Sequence, residues 1–200
     1  MMHEKELTRF RDPPVARFLF GSIQMAALWL VLRLYVGWQW LDAGRHKIED
    51  PKWMETGAAL QSYWQRAVAI PEQGRPAISF DWYRAFLDGL LAGGHYVWFA
   101  KLVAVGEAAI GVALILGAFT GVAAFFGAFM NWNFMMAGSA STNPLLFALA
   151  IGVILAWKIA GYWGLDRWVL PLLGTPWEPG QVWQPKARPQ GALVPVQAPR

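Results

Sequence analysis

Four stretches of this chain are apolar over about the 20 residues that a helix needs to cross a hydrocarbon core roughly 30 Å thick. They run from Ser22 to Asp42, His95 to Gly117, Phe119 to Ala137 and Pro144 to Trp163, and they predict four membrane-spanning helices. Charged and polar residues precede the first, which is also too long for the apolar run of a cleaved leader, so it is expected to remain as an anchor. In the connection between the first two spans, apolar residues recur at helical spacing: Leu60, Tyr63, Trp64, Ala67 and Val68, then Trp82, Tyr83, Phe86, Leu87, Leu90 and Leu91. Two short helices, Thr56 to Ile70 and Asp81 to Leu91, are expected across one mouth of the bundle at interface depth. Pro71 to Pro76 separates them, Asp81 can cap the second, and Gly93-Gly94 ends it. Past Leu170 the periodicity stops, and seven of the 13 prolines fall between Pro171 and Pro199. Such a segment cannot bury a core by itself.

The expected fold class is therefore all-α: an integral membrane four-helix bundle with two interfacial helices and an irregular Pro-rich tail. The chain divides into an N-terminal polar segment (1–21), a membrane domain (22–168, with 43–94 as its long connection) and the tail (169–200). Composition agrees, with 56% hydrophobic and 15% charged residues and a mean hydropathy of +0.31, against about 25% charged in average soluble domains. Trp38, Trp40, Trp98 and Trp132 are expected toward one set of helix ends, and Trp157, Trp163 and Trp168 toward the other, as two interfacial belts.

Charge adds orientation. Lys5, Arg9, Arg11 and Arg17 precede the first span, and Arg167, Lys186, Arg188 and Arg200 follow the last, while the short connections near Thr120 and Ser141 carry no Lys or Arg. The positive-inside rule then places both termini in the cytoplasm of a multi-pass cell-membrane protein. The six Lys or Arg of the long connection pull the other way. A pI of about 9.6 suits anionic lipid headgroups, and no aromatic-basic array points to nucleic acid. With no cysteine in the chain, disulfide exchange, thiolate metal sites and cysteine-held clusters are excluded.

Two charges interrupt the apolar spans: Arg33 in the first and Glu107 in the second. Each costs roughly 2.5 to 3.5 kcal/mol at mid-membrane and should face a bundle interior or a polar cavity. Both fall about half-way along antiparallel neighbours, so a mutual ion pair is expected, either as a structural lock or as polar lining for a quinone headgroup or a proton path. Two stripes flank them. Arg33, Gly37, Trp40 or Leu41, and Gly44 form one; Ala100, Ala104, Glu107, Gly111 and Leu114 form the other, and their small residues allow close helix approach. An up-down bundle also gathers Arg45, His46, Lys47, His95, Asn131, Asn133, Ser139, Ser141, Thr142 and Asn143 at one mouth, a set suited to a small anion. Asn131 and Asn133 lie inside an apolar helix and point about 200° apart, so one of them at most faces such a site. His46 and His95 are isolated boundary residues and make a poor haem or metal pair. No cofactor motif is visible.

These residues carry a resemblance. Leu32-Arg33-Leu34 with Gly37, Gly44 and Lys47, then Gly106-Glu107, Gly111 and Leu114 to Gly117, resemble the DoxX family of small bacterial and archaeal membrane proteins. So do Asn133-Phe134, Ala137-Gly138-Ser139, Asn143-Pro144, and a closing Gly161 with Gly164-Leu165-Asp166-Arg167, over about Leu28 to Trp168. Length, the long first connection and the Asn-Phe to Asn-Pro stretch look most like the DoxD type, the large subunit of thiosulfate:quinone oxidoreductase. The resemblance implies a four-helix membrane fold, oxidation of thiosulfate with electrons passed to membrane quinone, and a small DoxA-like partner subunit. The other open reading is a non-catalytic subunit or anchor within a larger membrane complex. A transporter is disfavoured, because the spans show neither breaks nor internal repeats.

Overall fold

The computed structural model describes residues 12–174, and every regular element among them is helical. Helix α1 (Pro14–Gly21) leads through a 3-10 turn at Ile23–Met25 into α2 (Ala26–Glu49), with a bend of 56° between them. Next come α3 (Pro51–Met54), α4 (Ala58–Val68), α5 (Asp81–Ala92), α6 (Tyr96–Leu116) and α7 (Thr120–Met136). The last three are α8 (Asn143–Leu155), α9 (Trp157–Ala160) and α10 (Asp166–Leu172). Most of the expected Pro-rich tail and the first eleven residues of the polar N-terminal segment lie outside the described residues.

Among the described residues one helix, α6, is long and apolar enough to cross a membrane; counting α1 and α2 as one bent span makes two. The first expected span stops at Asp42, but α2 continues to Glu49. Its last two turns are polar yet helical because Arg45 pairs with Asp42 at i−3 and Glu49 at i+4, and Pro51 then starts α3 under the Asp50 side chain, which accepts from Lys52 N. The fourth expected span is broken rather than continuous. Its hydrogen-bond ladder tightens at Ala156, whose carbonyl accepts from both Ile159 and Ala160, where Trp157 packs over Gly121. The N-terminal polar segment also holds a helix: α1 turns Leu19 and Phe20 onto the core, where Leu19 O accepts from Trp29 Nε1 at 2.7 Å.

The two helices of the long connection form as their spacing predicts. They cover a satellite core of Leu60, Trp64, Ala67, Ile78, Tyr83 and Leu87 against Ala100 and Ala137. Asp81 is the first residue of α5 rather than its cap, and its carboxylate is taken by Arg84 at 2.7 Å. Gly57, at φ +69°, lets α4 start on the backbone of Tyr96 and Val97, where a Cβ would have no room.

Helices α2 and α6 form the tightest seam. A methyl added at Gly44 would strike the Ala108 backbone, one at Gly111 the Leu41 backbone, and one at Gly37 would lie 3.0 to 3.1 Å from Leu114 and Ile115. The expected small-residue stripes are thus the contact surface. The main core continues from this seam through Trp29, Val36, Trp40, Ile110 and Leu114 to Ala123, Ala124, Leu146 and Val153. Trp40 is only 3% exposed and belongs to this core, not to an aromatic belt. Trp38 is exposed, but the seam puts it level with Leu114, toward the end opposite Trp98 and Trp132.

Candidate functional site

The seam also decides where the two buried charges lie. Steps of three and four residues along α2 (Gly44, Leu41, Gly37) are matched by equal steps backward along α6 (Ala108, Gly111, Ile115). In that register Arg33 falls opposite the turn after α6, and Glu107 falls opposite the Gly44 to Lys47 end of α2. At 1.5 Å per residue the two are about 18 Å apart along the axis. The expected Arg33–Glu107 pair is therefore absent. Helix α2 runs two turns past Asp42, so Arg33 lies near one end of the seam rather than half-way along it.

Arg33 serves a helix end. Its Nη1 donates to the carbonyls of Leu114 and, at 3.1 Å, Ile115, and its Nη2 donates to Trp163 O at 3.3 Å. These carbonyls include the unpaired acceptors at the C-terminus of α6, where the helix dipole favours a cation. Across the same turn Asp166 does the converse at the start of α7, its carboxylate accepting from Phe119 N at 2.6 Å and Thr120 N at 2.8 Å. Phe119 has a φ of +47°, a strained value for a side chain of its size, and Asp166 holds it there. The closing segment locks in through Leu165 N to Leu116 O (3.1 Å) and Asp166 N to Gly117 O (2.8 Å).

Glu107 faces a cavity instead. About 500 Å³ of space lies between α2, α4, α6, α7 and the turn into α8. Gln39, Ala43 and Lys47 line it from one face of α2, Tyr63 and Arg66 from α4, Glu107 from α6, Asn131 and Phe134 from α7, and Ser139, Ser141 and Asn143 from the turn. Lys47 Nζ donates to Glu107 Oε2 at 2.6 Å and stands 5.2 Å from the centre of the Trp53 ring. Glu107 is 1% exposed, whereas the Lys47 side chain, at 21%, keeps access to the cavity. Asn143 Nδ2 donates to Ser139 O at 3.1 Å, and Ser141 adopts φ +42° at the rim. Burial pushes the Tyr63 phenol up, against the opposing pull of Ser139 and Arg66. Asn131 is 0% exposed, and neither end of its amide has a hydrogen-bond partner; the Trp40 Nε1–H, packed beside Gly127, is equally without one.

A second cavity of about 500 Å³ lies under α4 and α5, against α6 and α7. Its walls are apolar, with Trp64, Phe86, Leu87, Phe99, Val103, Ile110, Phe126 and Phe129 among them. Its polar handle is Tyr83, whose hydroxyl donates to Asn133 at O (3.0 Å) or Oδ1 (3.2 Å), while Asn133 Nδ2 donates to Phe129 O at 2.8 Å. Burial holds the Tyr83 phenol up at about 12. Tyr63 and Phe134 line both cavities.

Of the residues predicted for the mouth, Lys47, Asn131 and Ser139 meet Glu107 around the polar cavity, together with Ser141, Thr142 and Asn143. Asn133 turns to the apolar cavity, as two asparagines about 200° apart must. Arg45 stays outside with Asp42 and Glu49, and His46 lies on Asp42, its Nδ1 2.8 Å from the Asp42 carbonyl oxygen. His95 ends up at the start of α6 beside Trp98, whose Nε1 lies 3.2 Å from its Nδ1. Arg33 lines neither cavity. Gln39, Trp40, Tyr63 and Arg66 are the residues that sequence reasoning missed. Gln39 carried a signal, a polar residue in an apolar span eight positions from Lys47, on one helix face. Arg66 carried none beyond its place on a short amphipathic helix. No protein-family model, curated protein or solved structure matches the chain.

Proposed function

We propose that the chain is a multi-pass membrane subunit of DoxX type, most like the DoxD large subunit, that links oxidation of a small sulfur oxyanion such as thiosulfate to reduction of membrane quinone. The observation that carries this reading is the pair of unlike cavities with a common wall. A polar chamber with Lys47 inside and Arg66 at its rim suits an anion, an apolar chamber of similar size suits a quinone ring, and Tyr63 and Phe134 line both. In this reading α2, α6, α7 and the broken α8–α9 pair span the bilayer. Leu28, Val31, Leu34, Leu102, Val105, Val112, Phe125 and Phe129, exposed on three of those helices, face lipid. Both termini in the cytoplasm would put the polar chamber on the outer side.

The redox balance is simple. Two thiosulfate dianions joined through a new S–S bond release two electrons, and a quinone takes those electrons with two protons to become the quinol. Lys47 and Arg66 hold anions, and Glu107 and Tyr63 lie where protons must pass. A small DoxA-like subunit would complete the outer surface.

The second reading, a non-catalytic subunit or anchor in a larger membrane complex, draws on the Lys47–Glu107 pair, which is already closed at 2.6 Å and would serve as a lock between α2 and α6. The two separate on purification in lipid discs. Thiosulfate-dependent reduction of a soluble quinone analogue, lost in Lys47→Met, is expected from the first. Stoichiometric recovery with other membrane subunits and no such reduction would establish the second.

A further inference from the structure

The polar cavity has more hydrogen-bonding capacity than its own residues use. Asn131 sits fully buried with both amide ends free, and Trp40 adds a buried indole N–H with no acceptor. Buried polar groups are nearly always satisfied, so an orphan amide on the wall of a polar cavity marks the place of an absent partner. The donors are Asn131 Nδ2, the remaining Lys47 hydrogens and, at the rim, Arg66, while the Trp40 indole N–H abuts Gly127, one turn before Asn131. Their complement is a compact oxyanion.

One feature opposes such a ligand. Among the described residues Lys47 is the only cation within hydrogen-bond reach of Glu107, at 2.6 Å, and the carboxylate is almost wholly buried. An oxyanion that takes the Lys47 ammonium in this chamber brings a second negative group beside the first, with a single inner cation between them. The charged or titratable groups around the chamber are Lys47 from α2, Tyr63 and Arg66 from α4, and Glu107 from α6. Helix α3 contributes Trp53, α7 contributes Asn131 and Phe134, and the turn into α8 contributes Ser139, Ser141, Thr142 and Asn143, none of which titrates near neutrality. Arg66 is exposed at the rim, so it cannot neutralise the carboxylate at the inner end.

We propose that the polar cavity takes up a small oxyanion together with one proton: the Lys47 ammonium exchanges Glu107 for the anion, and the proton goes to the Glu107 carboxylate. A dianion and one proton add a single net negative charge to the chamber, which the Arg66 guanidinium at the rim faces, and Lys47 stays an ammonium throughout. The carboxyl so formed is a donor, and Asn131 Oδ1 is the free acceptor on the same wall. This rests on the oxyanion assignment made above and gives that site a coupling: anion occupancy loads a proton into the chamber that Tyr63 also lines, and Tyr63 lines the apolar chamber as well.

Titration calorimetry on the full chain in lipid discs tests this, with inorganic thiosulfate and, separately, sulfate as probes, across neutral pH in two buffers of different ionisation enthalpy. The expected result is uptake of one proton per anion and an affinity that rises about tenfold for each unit fall in pH. Glu107→Gln should bind with no pH dependence and no proton uptake, and Asn131→Leu should weaken binding while leaving the proton count at one. PH-independent binding by the wild-type chain overturns the coupling and leaves the oxyanion site standing. Binding of neither anion, or binding indifferent to Lys47→Met, overturns both.

Discussion

Arg33 and Glu107 are equally buried, at 1% exposure each, yet they live in opposite surroundings. Arg33 is wrapped in backbone: both terminal nitrogens of its guanidinium donate to carbonyls at the end of α6 and at Trp163, with Nε left buried and unpaired, while Asp166 closes the start of α7. Glu107 meets one flexible side chain and an open chamber. The lesson is that burial of a charge does not identify a site. What distinguishes the two is whether the charge is held by fixed backbone groups away from either cavity, or by a side chain beside open space.

That contrast can be broken at several points. The largest effect is expected from Arg33→Met, which strands the α6 carbonyls and leaves Asp166 without its opposing charge. A loss of about 3 to 5 kcal/mol should show in denaturant unfolding of the detergent-solubilised chain. Gly44→Ala forces a methyl into the Ala108 backbone and should cost about 2 to 3 kcal/mol. Because it shifts the seam that aligns Lys47 with Glu107, it should also weaken anion binding. Asp166→Ala removes two backbone contacts and the restraint on Phe119, worth about 2 kcal/mol in the same assay. On the other side of the contrast, Glu107→Gln should cost only about 1 kcal/mol, since the amide still accepts from Lys47, while quinone-linked turnover falls about tenfold or more. A loss of assembly as large as that of Arg33→Met would place Glu107 in the structural class instead.

The smallest effect concerns Tyr83, a buried polar group whose hydroxyl has found Asn133. Its phenol is held neutral to about 12, above the ordinary value of 10.0. Because the folded state disfavours the phenolate, the stability it contributes is whole below pH 10.0 and is lost as pH rises toward about 12. Alkaline unfolding of the wild-type chain should therefore begin in that window, and Tyr83→Phe should remove that component at a cost of about 1 kcal/mol at neutral pH.

The amino-acid sequence by itself determined most of the helices. Their apolar stretches and heptad-like repeats are local properties, and α4, α5, α6 and α7 begin and end within a few residues of where periodicity, Gly93 and Gly117 put them. It also determined that Gly37, Gly44 and Gly111 would lie in a helix contact, because small residues at turn spacing have little other use in an apolar span. Only the tertiary structure decided the rest. The end of α2 packs on another helix, Gly44 on the Ala108 backbone and Lys47 on Glu107, and the break at Ala156 coincides with the packing of Trp157 on Gly121, a residue in another element. The partners of Arg33 and Glu107 depend on helix register, which glycine-to-backbone contacts fix across residues more than sixty positions apart. A span read alone gives depth only from its own ends, and an error of two turns there moves a charge from one partner to another. The polar chamber has the same origin: Lys47, Tyr63, Glu107 and Asn131 come from four helices, and no spacing within any one of them could have brought them together.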